Sequence, residues 1–368
     1  MLIRPSFRLA GCGLVGYPNV GKSTVFNALV GSTLAEAANY PFCTIDPNIS
    51  KVTVKDQTLD KIAKIQNSKR IIYDQIEIRD IAGLIKGASK GEGMGNAFLS
   101  HIRSGINVIL HVVRCFEDNR VASVLLNRTS PEPIREFNDI QEELIIADID
   151  FVTKRMASRA RVTPEVYHLM ESVLSSLDTG NRARATVQKV LKETPSLVNS
   201  AEAQGFIGQL ITGKPVIVVA NADSGDQCSG IQAHVERLDE SMGFVWLNAS
   251  REAEATAMIS QGEAEFAAEW LPEPRIDLLT EKCRQSMAMN VFYTLGVAEA
   301  RSWLVRSGAK APEAGGVIHS DFDKYFTKCE VTKVDDLIKH GLNASKAHKG
   351  REYVIPDSQD IIDFKIRR

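Results

Sequence analysis

The sequence predicts an α/β protein: a doubly wound, mostly parallel sheet with an inserted antiparallel helical hairpin, followed by a small C-terminal α+β domain. Three observations predict it. Dense β-branched runs at 106–113 (INVILHVV) and 215–220 (PVIVVA) suit buried parallel strands. Segments of helical spacing alternate with strand-like ones, which is the doubly wound order. The stretch 133–199 breaks that order, with two helical stripes and few strand signals. At 368 residues the chain exceeds one ordinary core, so two or three domains are expected.

Each element follows in order. The start, MLIRPSFRLA, is basic in the manner of a transit peptide, but a first motif at Gly16 leaves little room for one. It reads as a short extension into a strand over 9–16. Val25, Phe26, Leu29 and Val30 have helical spacing, and QIEIRD (75–80) alternates into a strand ending on Asp80. Within 133–199, Ile140, Leu144, Ala147 and Phe151 form one stripe, and Val166, Met170, Val173 and Leu177 another. Between them Thr163 is placed to cap a helix opening at Pro164. Two such helices joined by a short turn make a hairpin. LPEPR after residue 271 marks a linker. Beyond it MNVFYTL, CEVTKV, REYVIP and IIDFKI read as strands, and VAEARSWLV as a helix. The expected division is 1–132 plus 200–282, then 133–199, then 285–368.

Composition narrows the function. Lys plus Arg is 44 against 46 Asp plus Glu, a net charge of −2, so bulk attraction to nucleic acid is excluded and only local basic patches remain. The six cysteines (Cys12, Cys43, Cys115, Cys228, Cys283, Cys329) contain no C-x-x-C pair, hence neither a zinc knuckle nor a redox dithiol. They read as thiols of a reducing compartment. No apolar run approaches the roughly 18 residues of a membrane span. A cytoplasmic monomer without membrane contact is expected.

The decisive motif is Gly16-Tyr17-Pro18-Asn19-Val20-Gly21-Lys22-Ser23, a G-x-x-x-x-G-K-S between a strand and a helix. The glycines let backbone N–H groups wrap a phosphate chain, and the helix N-terminus adds its positive end. Asn19, Val20, Gly21, Lys22, Ser23 and Thr24 are the candidate phosphate-binding residues. Lys22 is placed to bridge the β- and γ-phosphates, and the Ser23 hydroxyl to ligate Mg²⁺. Asp80-Ile81-Ala82-Gly83 follows at a strand end, where Asp80 can hold Mg²⁺ through water and the Gly83 N–H can meet the γ-phosphate. Thr44, in NYPFCTIDPN, can close over the same metal.

YPNVGKSTVFNAL, NYPFCTIDPN and DIAGLIKGASKGEGMGNAFLSHI together resemble the translation-factor class of P-loop GTPases, and within it the Obg-like ATPase (YchF) subfamily. The similarity continues through HVVRCFED, the helical stretch and AGGVIHSDFDKYF to GREYVIPDSQDIIDFKI, covering nearly the whole chain. The C-terminal part resembles a TGS domain, a ubiquitin-like β-grasp module. The resemblance implies a P-loop G domain, a Mg²⁺-dependent nucleotide hydrolase associated with ribosomes, and looser base choice than a true GTPase.

The base-reading station bears on that last point. A guanine-specific site uses N-K-x-D, whose carboxylate accepts from guanine's two N–H donors. Here the strand runs into Asn221-Ala222-Asp223-Ser224. The fourth place, often Glu in the resembled family, is Ser224, whose hydroxyl can donate or accept. Losing a bidentate carboxylate contact costs guanine about 1–3 kcal/mol. The alternative is that Asp223 slides in by one residue and restores guanine reading. Ala249 and Ser250, in LNASRE, are candidates for a second base-contacting loop.

Catalysis has no obvious water-orienting residue, because Leu84 stands where many GTPases have Gln. His111 is the candidate, supported by the resemblance, since family members carry a His there; a buried core histidine is the equal alternative. His101 is a weaker one. Lys22 and Gly83 complete the catalytic set. Asn19 matches a residue that in related GTPases helps hold K⁺, where a cation can offset charge in phosphoryl transfer; bonding within its own loop is the other reading. Five glycines from Gly83 to Gly95 mark a ligand-ordered switch. Lys154, Arg155, Arg159 and Arg161 at the hairpin tip, and the tail Lys365-Ile366-Arg367-Arg368, are candidate contacts to ribosome or ribosomal RNA. The expected partners are thus ATP or GTP and the ribosome. The competing class is a ribosome-binding adaptor in which nucleotide orders the protein with negligible turnover.

Overall fold

The computed structural model describes residues 11–37, 49–81, 94–118, 130–158, 162–357 and 360–367. Their contacts divide the chain into two compact units, one drawn from 3–52 and 77–279, the other from 53–76 and 280–368. The second unit therefore takes a segment from deep within the N-terminal third. The helical stretch 133–199 belongs to the first unit.

The first unit is built on a sheet of β1 (Gly11–Val15), β2 (Ile49–Thr53), β4 (Gln75–Asp80), β5 (Val108–Arg114), β6 (Val216–Asn221) and β7 (Gly243–Leu247), in the order β2-β4-β1-β5-β6-β7. The short β3 (Ile71–Ile72) lies in the other unit. β1 runs parallel to β4 and β5, and β6 runs parallel to β5 and β7. β5 and β6 are buried at every residue, as their mostly apolar sequences require of central parallel strands. The strand order reverses at β1, a switch point where α/β folds open a crevice at the carboxyl ends of their strands. The carboxyl ends of β1, β4, β5, β6 and β7 thus lie along one edge.

The helices of this unit include α1 (Lys22–Ala37) and α3 (Met94–Gly105), with α2 (Gln57–Gln66) in the other unit. The helical stretch is longer than a hairpin. α4 (Pro133–Ala157) and α5 (Pro164–Asp178) carry the two expected stripes, and α6 (Ala183–Glu193) and α7 (Ala201–Ile207) follow. Val152, Val166, Met170, Val173 and Leu177 join Val187, Val190, Leu191 and Phe206 in one core. Thr163 precedes Pro164 at the start of α5, but its side chain makes no capping bond. Asp148 of α4, fully buried, accepts from Arg103, from the backbone N–H groups of Ile211 and Thr212, and from the Thr212 hydroxyl. That carboxylate ties the helices to the chain entering β6. After β6 come α8 (Ser229–Leu238) and α9 (Ala249–Ser260).

The second unit holds β8 (Met289–Leu295), β9 (Ala300–Arg306), β10 (Phe326–Thr332), β11 (Ala347–Lys349) and β12 (Ile361–Ile366), in the order β11-β10-β12-β8-β9-β3. A hairpin β8–β9 is followed by a helix (Ala311–Ile318) and by β10 and β11. The last strand, β12, inserts between β10, antiparallel, and β8, parallel. This is the β-grasp order. The expected helix VAEARSWLV is instead the strand β9: its helix-favouring Ala, Glu and Leu are overridden by pairing with β8 along its whole length and by Trp303 stacking on Phe292. REYVIP contributes a single bridge, Val354 to Lys310, rather than a strand. α2 and β3 complete the unit from the distant segment. β3 adds parallel to β9, the Tyr293 hydroxyl donates to Asp56 before α2, and Asp74 accepts from the Leu304 N–H at 2.6 Å.

Candidate functional site

The chain leaves β1 at Gly16, where a Cβ would sit 2.4 Å from the Val112 carbonyl oxygen, so only glycine fits. The loop closes at Gly21, with φ +98°, where a Cβ would meet Asn221 Nδ2 at 2.3 Å. Asn19, exposed, takes φ 63°. Lys22 opens α1, and its Nζ donates to the Tyr17 carbonyl at 2.7 Å. The ammonium is nearly buried; desolvation lowers its pKa and the nearby Asp80 charge draws it back up. A helix N-terminus joined to a largely desolvated cation is an anion-binding arrangement.

Ser23 Oγ donates to Asp80 Oδ2 at 2.8 Å. The end of β4 thus meets the start of α1, as the motif order requires, and two hard oxygens stand together at the surface. This donor set fits Mg²⁺. Thr24 is half-buried beside it. Thr44, Gly83 and Leu84 lie outside the described residues, as does most of the glycine-rich segment; α3 begins at Met94. His101 is exposed on α3.

The loops after β6 and β7 are locked by side chains. Asn221 is buried; its Nδ2 donates to the Val20 carbonyl at 3.1 Å and its Oδ1 accepts from the Ala249 N–H at 3.0 Å. The Ala222 N–H donates to the Leu247 carbonyl. The expected contribution of Ala249 is corrected here: its N–H belongs to Asn221 instead of facing outward. Ser250 is exposed in the first turn of α9. Ser224 is extended and exposed, with its carbonyl accepting from the Cys228 thiol. Asp223 is also exposed, but its carboxylate accepts from Asn248 Nδ2 at 2.9 Å and its N–H donates to Gln227 Oε1 at 2.8 Å. The five described cysteines are buried and unbridged; Cys43 lies outside the described residues.

His111 faces the core. It is 1% exposed, its ring stacks on Phe137 of α4 at 4.9 Å, and its Nδ1 lies 3.0 Å from Gln141 Nε2. Burial first, then the charges of Arg182 and Lys22, hold its pKa down at about 3. At neutral pH it is an uncharged imidazole, able to hydrogen-bond and unable to act as a cationic acid. The environment is that of a core histidine, the second of the two sequence readings. The partners that α4 brings to this edge had no sequence signal: Phe137, Gln141, and Asp139, which accepts from the Tyr17 hydroxyl at 3.3 Å. Asn248 did have one, as an asparagine directly before a helix start.

Of the basic tip, Lys154 pairs with Asp150 at 2.7 Å and Arg155 is exposed, while Arg159 and Arg161 lie outside the described residues. In the tail, Lys365 pairs with Asp363, Arg367 is exposed, and Arg368 lies outside the described residues. No described helix is long and apolar enough to cross a membrane.

Residues 11–147 match the family described as "50S ribosome-binding GTPase", and residues 289–367 match a C-terminal family described as "Protein of unknown function (DUF933)". The chain is 34% identical to the "Ribosome-binding ATPase YchF" of Bacillus subtilis over 373 residues, covering 96% of this chain and 98% of that protein. This chain belongs to the YchF/Obg-like ATPase family. Another relative is the "Obg-like ATPase 1" of Schizosaccharomyces pombe, 33% identical with 96% and 93% covered. The solved structure of the Schizosaccharomyces pombe YchF GTPase superposes with a TM-score of 0.79 at 32% identity, covering 98% of this chain and 99% of that one. As a member of the YchF/Obg-like family, the chain is a P-loop nucleoside triphosphate hydrolase.

Proposed function

We propose that this chain is a ribosome-associated, Mg²⁺-dependent hydrolase of ATP, and of GTP with relaxed purine choice. It works as a nucleotide-dependent switch in translation or stress response, in the cytoplasm. The carrying observation is the base loop. Asn221 is committed to the P-loop and to Ala249, the fourth place offers the Ser224 hydroxyl, and the carboxylate one place before it, Asp223, is held by Asn248. No bidentate guanine acceptor stands in the usual place. The names of the relatives, ribosome-binding ATPases, support the ATP and ribosome assignments.

In this reading the N–H groups of the loop 16–23 bind the phosphates, and Lys22 leaves the Tyr17 carbonyl to meet the β- and γ-oxygens. Ser23 and Asp80, with Thr44, would hold Mg²⁺, which would supply charge neutralisation at the phosphates. Gly83 meets the γ-phosphate, Asn19 is the residue through which K⁺ would act, and Ser224 and Ser250 face the base, while Ala222, buried with its N–H on Leu247, holds the loop in place. The helices of 133–199 and the β-grasp domain carry the ribosomal contacts, through Lys154, Arg155, Arg159, Arg161 and the C-terminal tail. The neutral, buried His111 keeps a second reading in view, in which turnover is negligible and nucleotide only orders an adaptor. A competition titration of ATP against GTP tests the first reading: ATP should bind at least as well as GTP. A tenfold or greater preference for GTP would overturn it. Turnover with and without ribosomes separates hydrolase from adaptor.

A further inference from the structure

Asp223 is the acid of the Asn221–Ser224 stretch, and it is exposed, yet it is held from both ends. Its own N–H donates to Gln227 Oε1 at 2.8 Å, and its Oδ1 accepts from Asn248 Nδ2 at 2.9 Å. Asn248 cannot turn its amide over without loss, because its Oδ1 caps α9 by accepting the Arg251 N–H at 3.0 Å. The Asn221–Ala249 and Ala222–Leu247 bonds fix the two loops to each other. The amide donor therefore points at Asp223 by construction. We infer that Asn248 is a positioning residue for base choice: it restrains the Asp223 carboxylate so that guanine cannot engage both of its oxygens.

The inference rests on the relaxed-purine reading and gives it a cause. Guanine presents N1–H and an exocyclic amine side by side, and reading both needs two acceptor oxygens free to align. A carboxylate with one oxygen drawn to Asn248 offers the base one oxygen outright. One acceptor takes adenine's exocyclic amine as readily as a guanine N–H, so it does not discriminate. Without the amide donor, Asp223 gains the rotation that lets both oxygens face a purine edge one residue short of the usual position.

The test uses the full chain in Mg²⁺ buffer, with unlabelled ATP and GTP each competing against a fluorescent nucleotide. Asn248→Ser keeps a side-chain oxygen to cap α9 but has no amide. It should raise the affinity for GTP relative to ATP by threefold or more over the wild-type ratio. Asn248→Asp, which also caps but repels Asp223, should move the ratio the same way. Asp223→Ala added to Asn248→Ser should cancel the gain. A change below threefold, a move toward ATP, or a gain that survives Asp223→Ala would each overturn the inference. The wild-type ratio itself tests the relaxed-purine reading, so the two can fail separately.

Discussion

Along the carboxyl edge of the first sheet, the loop after β1 is shaped mainly by backbone, whereas the loops after β6 and β7 are shaped by side chains gripping one another. Gly16 and Gly21 leave no room for a Cβ, and the Lys22 ammonium is anchored on a carbonyl. On the other side, Asn221, Asp223, Gln227 and Asn248 interlock through their amide and carboxylate groups. A phosphate chain is the same in every nucleoside triphosphate, so a backbone cradle suffices for it. A base must be told from other bases, and side chains can be exchanged without rebuilding the fold.

Substitutions on the two sides should behave accordingly. The largest effect is expected from Lys22→Ala, which should abolish nucleotide binding or turnover for ATP and GTP alike while the protein stays folded; retained activity in a folded variant would break the phosphate assignment. Ser224→Asp should act on the base side alone. A carboxylate at the fourth place accepts from both guanine donors and repels the unprotonated N1 of adenine, shifting preference toward GTP by about 1–3 kcal/mol, roughly ten- to a hundredfold. Competition titration would reveal it, and equal losses for both purines would contradict the division.

His111→Ala belongs to neither side if the imidazole is core. It should destabilise the fold by about 2–4 kcal/mol, seen as a lowered melting temperature, because it empties a buried site against Phe137 and orphans Gln141. A tenfold fall in turnover with an unchanged melting temperature would instead place His111 at the attacking water. The effect confined to the narrowest conditions concerns Glu252 of α9, whose pKa burial pushes up to about 7, against a partial offset from the backbone N–H of Arg275. A raised carboxyl pKa means the folded state holds its proton more tightly. Its contribution is therefore full below the ordinary carboxylate range and is lost as pH rises towards about 7, by at most about 3 kcal/mol. Glu252→Gln should remove that slope from denaturation curves between pH 4.5 and 7.5; an unchanged slope would show that the group titrates normally.

Much of the first sheet was legible. QIEIRD is β4 residue for residue, and the runs at 106–113 and 215–220 fall on β5 and β6 within two residues at either end. Their apolar density leaves no other place for them. The P-loop could be read because its chemistry is local in sequence. VAEARSWLV could not, since its propensity is helical and only the partner strand β8 decides otherwise. Nor could the membership of 53–76 in the second unit, which depends on partners more than 200 residues away, such as Tyr293 and Leu304. At the site, Asn221 was visible by motif, but the bond that takes the Ala249 N–H out of reach depends on side-chain geometry at two strand ends.

The segment of α2 and β3 also sets a timetable for biosynthesis. Its apolar residues Leu59, Ile62 and Ala63 are buried in the finished fold. β3 has no strand to join until β9 has been translated. At roughly 5–20 residues per second, that wait is on the order of tens of seconds. During it the nascent chain carries an unpaired strand and an uncovered helix face in its N-terminal third. The finished six-stranded sheet therefore draws its last edge strand from a segment made long before the rest of it. A chain truncated before residue 289 would keep the nucleotide motifs yet leave this early segment without the partners that bury it.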